Sequence, residues 1–226
     1  NSFGGALSVA GGTTGGQNGT VAVFDNTNPD ELNFDVGHSW RFEPGDGPFV
    51  YNEMTLTGTS GNVSAIGIEA DLTAQTISTE YATLTVSEGV VLTVDTLNIG
   101  NGTTINLGTT SVLNVNNFNV IGDFTYTGNL SINVDNMTVS AASTISANGK
   151  GYAAAQGPGV GTLDGEYGGG GGHGGTGGTQ YNAVGGPRYG SATQPSTAGS
   201  GGTGAGSSYG GAGGGVLHFV VNNTLV

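Results

Sequence analysis

The chain has 226 residues, enough for one large domain or two small ones, and its 35% hydrophobic content permits a core only if that core is narrow. Three Lys and Arg against sixteen Asp and Glu leave a net charge of -13, which excludes the run of phosphate contacts that nucleic acid or an anionic membrane surface requires. The lack of cysteine excludes disulfides, thiol chemistry and thiolate zinc sites, and no apolar run approaches the ~18 residues of a spanning helix.

Charged residues make up only 8% of the chain, against roughly 25% in an ordinary domain, whereas Gly reaches 47 and Asn 21. Solubility here is expected to come from amides and hydroxyls. Asn1-Ser2-Phe3 carries no signal-peptide pattern and, lacking an initiator Met, reads as a processed or cut end.

In chain order, residues 1–60 read as the end of a preceding glycine-rich segment followed by irregular first coils. This stretch holds Asp25, Asp30, Glu31, Asp35, Glu43, Asp46 and Glu53 together with His38 and Arg41.

Residues 61–149 carry the clearest signal. Short apolar triplets recur there, with anchors at Ile66, Leu72 and Ile77, then Leu84, Leu92 and Leu97, then Ile105, Leu113 and Phe118, then Phe124, Leu130 and Met137, then Ile145. Every third anchor falls 17 to 21 residues after its predecessor, and taking Ile132 in place of Leu130 tightens the register. Each triplet alternates apolar, small polar, apolar, as in Leu97-Asn98-Ile99 or Phe118-Asn119-Val120, so its outer side chains share one face and its middle one takes the other. Strands this short bury too little as hairpins. Wound into a three-sided coil they stack like side chains into continuous internal rows, which predicts an all-β fold: a single-stranded parallel β-helix with a glycine-rich insertion. The handedness rule for parallel crossovers favours the right-handed form.

Residues 150–215 are dominated by glycine, unbroken from Gly168 to Gly172, with Tyr152, Tyr167, Tyr181, Tyr189 and Tyr209 interspersed. The flanking apolar stretches and the spaced tyrosines favour an ordered insertion lying along the helix. Composition alone would give a disordered linker, and a polyproline-II bundle is the third alternative, counted against because Gly does not hold every third position. Residues 216–226 begin further coils. The run Gly15–Phe24 matches Gly210–Phe219 at five of ten positions, so the chain is expected to be one period of a longer repetitive protein.

The run from Thr144 (Thr-Ile-Ser-Ala-Asn-Gly-Lys-Gly-Tyr), the block Gly168–Gly175 around His173, Arg188-Tyr189-Gly190-Ser191 and Gly210–Phe219 together resemble a glycine-rich β-helical module of large secreted and surface proteins of bacteria and protists. That resemblance implies an extracellular shaft or adhesive surface and brings no catalytic residues with it.

A carbohydrate-active enzyme or carbohydrate-binding domain on the same scaffold is the alternative. Hydrolysis or elimination on acidic glycans needs carboxylates converging on a groove. The middle residues of the strands, Thr85, Thr93, Asn98, Asn106, Asn114, Asn119, Thr125, Ser131 and Thr138, are all uncharged. The least unfavourable place for catalysis is therefore the cluster Asp25 to Asp46 near His38 and Arg41. His38, His173 and His218 lack metal-ligand spacing, and neither known calcium-loop pattern is present, so no metal or cofactor is expected. Sequons for N-linked glycan stand at Asn18, Asn62, Asn101, Asn129, Asn136 and Asn222, with Asn62, Asn101, Asn129 and Asn136 expected in turns at coil corners. The expected partners are other copies or modules of the same protein, end to end, and surface glycans, with no nucleic acid and no membrane insertion.

Overall fold

The computed structural model describes residues 21–25, 33–127, 129–191, 193, 196–204 and 210–226, and among these there is strand but no helix. The strands are β1 (Val21–Asp25), β2 (Asn33–Gly37), β3 (Ser39–Phe42), β4 (Phe49–Thr57), β5 (Ser64–Ile68), β6 (Leu72–Glu80), β7 (Ala82–Val86) and β8 (Val91–Ile99). They continue as β9 (Thr103–Leu107), β10 (Val112–Val120), β11 (Phe124–Thr127), β12 (Asn129–Val139), β13 (Ile145–Ser146), β14 (Leu163–Asp164), β15 (Tyr167–Gly168) and β16 (Val216–Leu225). Two compact units result. One gathers the described residues up to Phe124 with Asn133–Thr144 and Val221–Val226, the other Thr125–Ile132 and Ile145–Val220.

The first unit is a parallel β-solenoid. Its long strands follow the order β1-β2-β4-β6-β8-β10, continued by the Asn133–Val139 part of β12 and the Val221–Leu225 part of β16. Its short strands follow β3-β5-β7-β9. The expected internal rows are those of the structure. Trp40, Ile66, Leu84 and Ile105 stand in register on one side, Leu72, Leu92 and Leu113 on the second, and Met54, Ile77, Leu97, Phe118 and Met137 on the third. From Ile66 to Met137 each of these anchors is 7% exposed or less. Asn133 pairs with Asn114, and Ile132, in the second unit, is fully buried, while the Leu130 side chain lies outside the described residues. Ile145, placed in the first row by the period, is only half-buried in the two-residue β13.

The second and third sides are not separate strands. Each nine-residue strand passes through both and changes its buried parity once: in β6, Leu72 and Ala74 point inward, and then Ile77 and Thr79 do. The pairing register omits Gln75 in β6 and its counterparts Asn52, Asp95, Asn116 and Asp135. One unpaired residue per coil therefore makes the corner without a turn. The parallel pairing also reaches further back than the period suggests, since β2 pairs with β4 from Asn33↔Glu53 to Gly37↔Thr57. In these first coils the interior is aromatic: the Phe34 ring lies 5.6 Å from Trp40, 5.3 Å from Phe42 and 5.5 Å from Tyr51, and Phe42 lies 5.1 Å from Phe49.

In the second unit the glycine-rich segment carries many backbone hydrogen bonds, yet among its described residues the strands are only the antiparallel pair β14 and β15. Gly169 N donates to Thr162 O at 2.9 Å, Gly170 N to Gly178 O at 2.8 Å and Gly172 N to Gly159 O at 2.7 Å, while Gly186 N donates to Gly170 O and Thr203 N to Gly169 O. Neighbours on so many sides exclude a sheet strand, whose bonds lie in one plane. Imagined side chains point the same way. A Cβ on Gly168 or Gly171 would run into the backbone of residues 200–204, one on Gly169 or Gly172 into that of 184–187, and one on Gly170 would lie 3.0 Å from Gly178 N. A recurrence of three residues is the screw of polyproline II, where a strand would give two. The run Gly168–Gly172 thus follows the screw of the polyproline-II alternative. Glycine at every third position is not its requirement, because a central run such as Gly168–Gly172 meets backbone on every face and needs glycine at each place.

Candidate functional site

The outward faces of the solenoid carry ladders of amides and hydroxyls. On the third side, Asn119 Nδ2 donates to Asn98 Oδ1 at 2.9 Å and Asn98 Nδ2 to Ser78 Oγ at 3.2 Å. Beside that row, Asn136 Nδ2 donates to Asn117 Oδ1 at 3.0 Å. Parallel pairing produces these contacts directly, because it sets Ser78 against Asn98, Asn98 against Asn119, and Asn117 against Asn136. Thr85, Thr93, Asn98, Asn106, Asn114, Asn119, Thr125 and Thr138 are all outside the core, as the alternation predicts, while the Ser131 side chain lies outside the described residues.

The carboxylates act as clamps between coils. Glu88 accepts from the backbone N–H groups of Thr109 and Thr110, each at 2.9 Å, and from both hydroxyls, that of Thr110 at 2.6 Å. Gly108 makes this approach feasible, since a Cβ there would stand 2.8 Å from Glu88 N. Hydrogen bonds from the Thr110 side chain, then from the two backbone amides and the Thr109 hydroxyl, lower the Glu88 pKa from 4.5 to about 2. Glu80 accepts from Asn101 N at 2.9 Å and Asn101 Nδ2 at 3.2 Å, Asp71 from Val91 N at 2.8 Å, Asp95 from Asn116 Nδ2 at 2.7 Å and Asp135 from Asn222 Nδ2 at 3.1 Å. Sequence reasoning missed this role. Its signal was present, because Glu80 to Asn101 and Glu88 to Thr109 each span the coil length of 21 residues.

Within the acidic stretch near His38 and Arg41, the side chains of Asp25 and Asp35 lie outside the described residues. Asp30 and Glu31 lie outside those residues. Arg41 turns to Glu69, with Nε to Oε1 at 2.9 Å and Nη2 to Oε2 at 2.8 Å, and stands 3.8 Å from Glu43. The hydrogen bond to Glu69 and then its charge raise the Arg41 pKa. This pair walls a shallow recess over Ala65 and Gly67, also lined by Trp40 and Thr85. The recess offers a ring and an apolar floor, but its one carboxylate is occupied by the guanidinium. His38 adopts φ 103°, its N–H donates to Ser64 Oγ at 2.8 Å, and its Nδ1 is buried without a partner. Among the described residues no three His, Cys, Asp or Glu side chains are placed to hold a metal ion.

Inside the glycine-rich unit, His173 Nε2 lies 3.1 Å from Thr197 Oγ1 and its ring packs edge-on against Tyr189 at 5.0 Å. The Tyr189 hydroxyl donates to Ala198 O and accepts from Ser200 Oγ at 3.0 Å, and Ser200 Oγ accepts from Gly159 N at 2.8 Å. These side chains tie four backbone segments together.

The sequons separate into distinct settings. Asn62 and Asn101 are in turns, as expected. Asn129 and Asn136 are corrected: both are in β12, because the corner there is Asp135 and the strand runs on through Asn136 to pair with Asn117. Asn222 is exposed in β16, and Asn18 lies outside the described residues. No protein-family model matches the chain, and no curated protein or solved structure matches it either. The class that geometry defines is a parallel β-solenoid.

Proposed function

We propose that this chain is a structural module of an extracellular fibre, surface appendage or adhesin, a stiff non-catalytic rod that assembles end to end and carries N-linked glycan at its turns. The observation that carries the reading is the disposition of the polar groups. The outward rows consist of uncharged ladders, and the coil-corner carboxylates of Glu80, Glu88, Asp71 and Asp95 are spent on holding one coil to the next. A surface of this kind has little chemistry to offer a small substrate and much cohesion along the coil axis. Stacked coils also transmit load through nearest-neighbour interfaces, which suits a shaft.

Electron microscopy of the native assembly tests the reading. Filaments whose axial repeat is built from coil steps of about 4.8 Å are expected. Isolated particles at every concentration would remove it.

A further inference from the structure

β1 and β16 stand at opposite edges of one sheet order and begin alike. Within the five-of-ten match between Gly15–Phe24 and Gly210–Phe219, Val21 corresponds to Val216 and Phe24 to Phe219. The structure shows that these equivalent strands are held in different ways. β1 lies antiparallel on β2, with Val21↔Gly37, Ala22↔Val36, Val23↔Asp35, Phe24↔Phe34 and Asp25↔Asn33. β16 runs parallel to β12: Val226 N donates to Met137 O at 3.0 Å and Val226 O accepts from Val139 N at 2.7 Å, the pattern of a parallel bridge. Strands that begin alike and stand at the two opposite edges of one sheet order are suited to join two copies.

We propose that β16 of one copy pairs antiparallel with β2 of a second copy, in the place which that copy's own β1 holds. Resting on the reading of the chain as an end-to-end module, this names the joint. The register carries over from β1: Val216 comes opposite Gly37, Leu217 opposite Val36, His218 opposite Asp35, Phe219 opposite Phe34 and Val220 opposite Asn33. The exchange keeps the register that β1 makes, with Val216–Val220 taking up all five residues of β2. Such β-strand addition takes its affinity from main-chain bonds and its specificity from alternate side chains. The contact is heterologous, joining one edge to the opposite one, so repetition yields an open filament. Strands of adjacent copies run in opposite senses across each joint.

The lack of cysteine gives a clean test. Val220→Cys and Asn33→Cys proteins, mixed and oxidised, are expected to give a covalent dimer that neither gives alone. Val220→Cys mixed with Val36→Cys, out of register, should give none. A synthetic peptide spanning residues 215–226, in excess, should abolish the in-register cross-link, whereas a scrambled peptide should not, and circular dichroism confirms that each variant is folded. Equal yields in and out of register overturn the exchange, as does wild-type protein that associates while the in-register mixture stays uncross-linked. Both outcomes leave the end-to-end module standing. Wild-type protein that remains monomeric by light scattering at every concentration overturns the module together with the joint.

Discussion

Truncating Phe118 to Ala tests the internal row most directly. Phe118 is fully buried, in register between Leu97 and Met137, with its ring 6.0 Å from that of Phe124. A buried Phe removes roughly 200 Å² from water, which at about 25 cal/mol per Å² sets an upper bound near 5 kcal/mol. Coils clamped above and below cannot collapse into the space left behind, so the loss should fall within the usual range of about 3–5 kcal/mol for Phe to Ala. The matched control is Asn119→Ala, the next residue but outward-facing, which removes one ladder hydrogen bond to Asn98 and should cost about 0.5–1.5 kcal/mol. Urea denaturation followed by far-ultraviolet circular dichroism reads both. Fluorescence of the single tryptophan, Trp40, packed against Phe34, reports the first coils separately. In an array stabilised by nearest neighbours the Phe118 defect should shift the dichroism midpoint more than the fluorescence midpoint. A Phe118→Ala cost under about 1 kcal/mol, or one equal to that of Asn119→Ala, would refute the assignment of inward and outward faces.

Three further outcomes are expected. Gly171→Ala, whose Cβ would run into Ser200 O, should unfold the glycine-rich unit, whereas Gly178→Ala, with open space around it, should not; protease resistance of residues 150–215 distinguishes them. Glu88 has a folded pKa lowered to about 2 from 4.5, so the stability it contributes is complete above 4.5 and is lost as pH falls through that window. Denaturation midpoints should therefore decline from about pH 5 to pH 2, and Glu88→Gln should flatten part of that decline; an identical pH profile in the variant would contradict the clamp. In a glycosylating secretory host, peptide mapping of the folded product should find glycan at Asn62 and Asn101 and none at Asn136, whose amide is bonded within the ladder to Asn117 Oδ1.

The rows were legible because burial repeats with the coil. Ile66, Leu84 and Ile105 are spaced by the path length around one turn, and any chain wound in this way must place apolar residues at that interval. The corner was less legible. Between Leu72 and Ile77 the sequence has no Gly, Pro or Asn to announce a turn, since the bend is a change of parity at Gln75 within a continuous strand. Asn136 was misplaced for the same reason: Asp135 alone makes its corner. The glycine-rich segment resisted reading because its order depends on which backbone lies against which. Gly168 to Gly172 look alike in sequence, yet they face three different neighbours in turn. The inter-coil carboxylates could have been found by asking which donors lie one coil length beyond each Glu and Asp.

The two units answer one constraint by different means. With 35% hydrophobic residues there is not enough apolar volume for a broad core, and every buried backbone donor still needs a partner. The solenoid keeps a core only a few side chains wide and directs its backbone bonds along the axis, so each added coil brings its own partners. Along Gly168–Gly172 the second unit lets backbone pack on backbone, which works only where nothing larger than hydrogen stands on those Cα atoms. Ion pairs on the surface add little to either. The Arg41–Glu69 pair is exposed, and such pairs contribute about 0–1 kcal/mol. Cohesion built from backbone bonds and amide ladders is little affected by salt, which screens charges and leaves neutral hydrogen bonds in place.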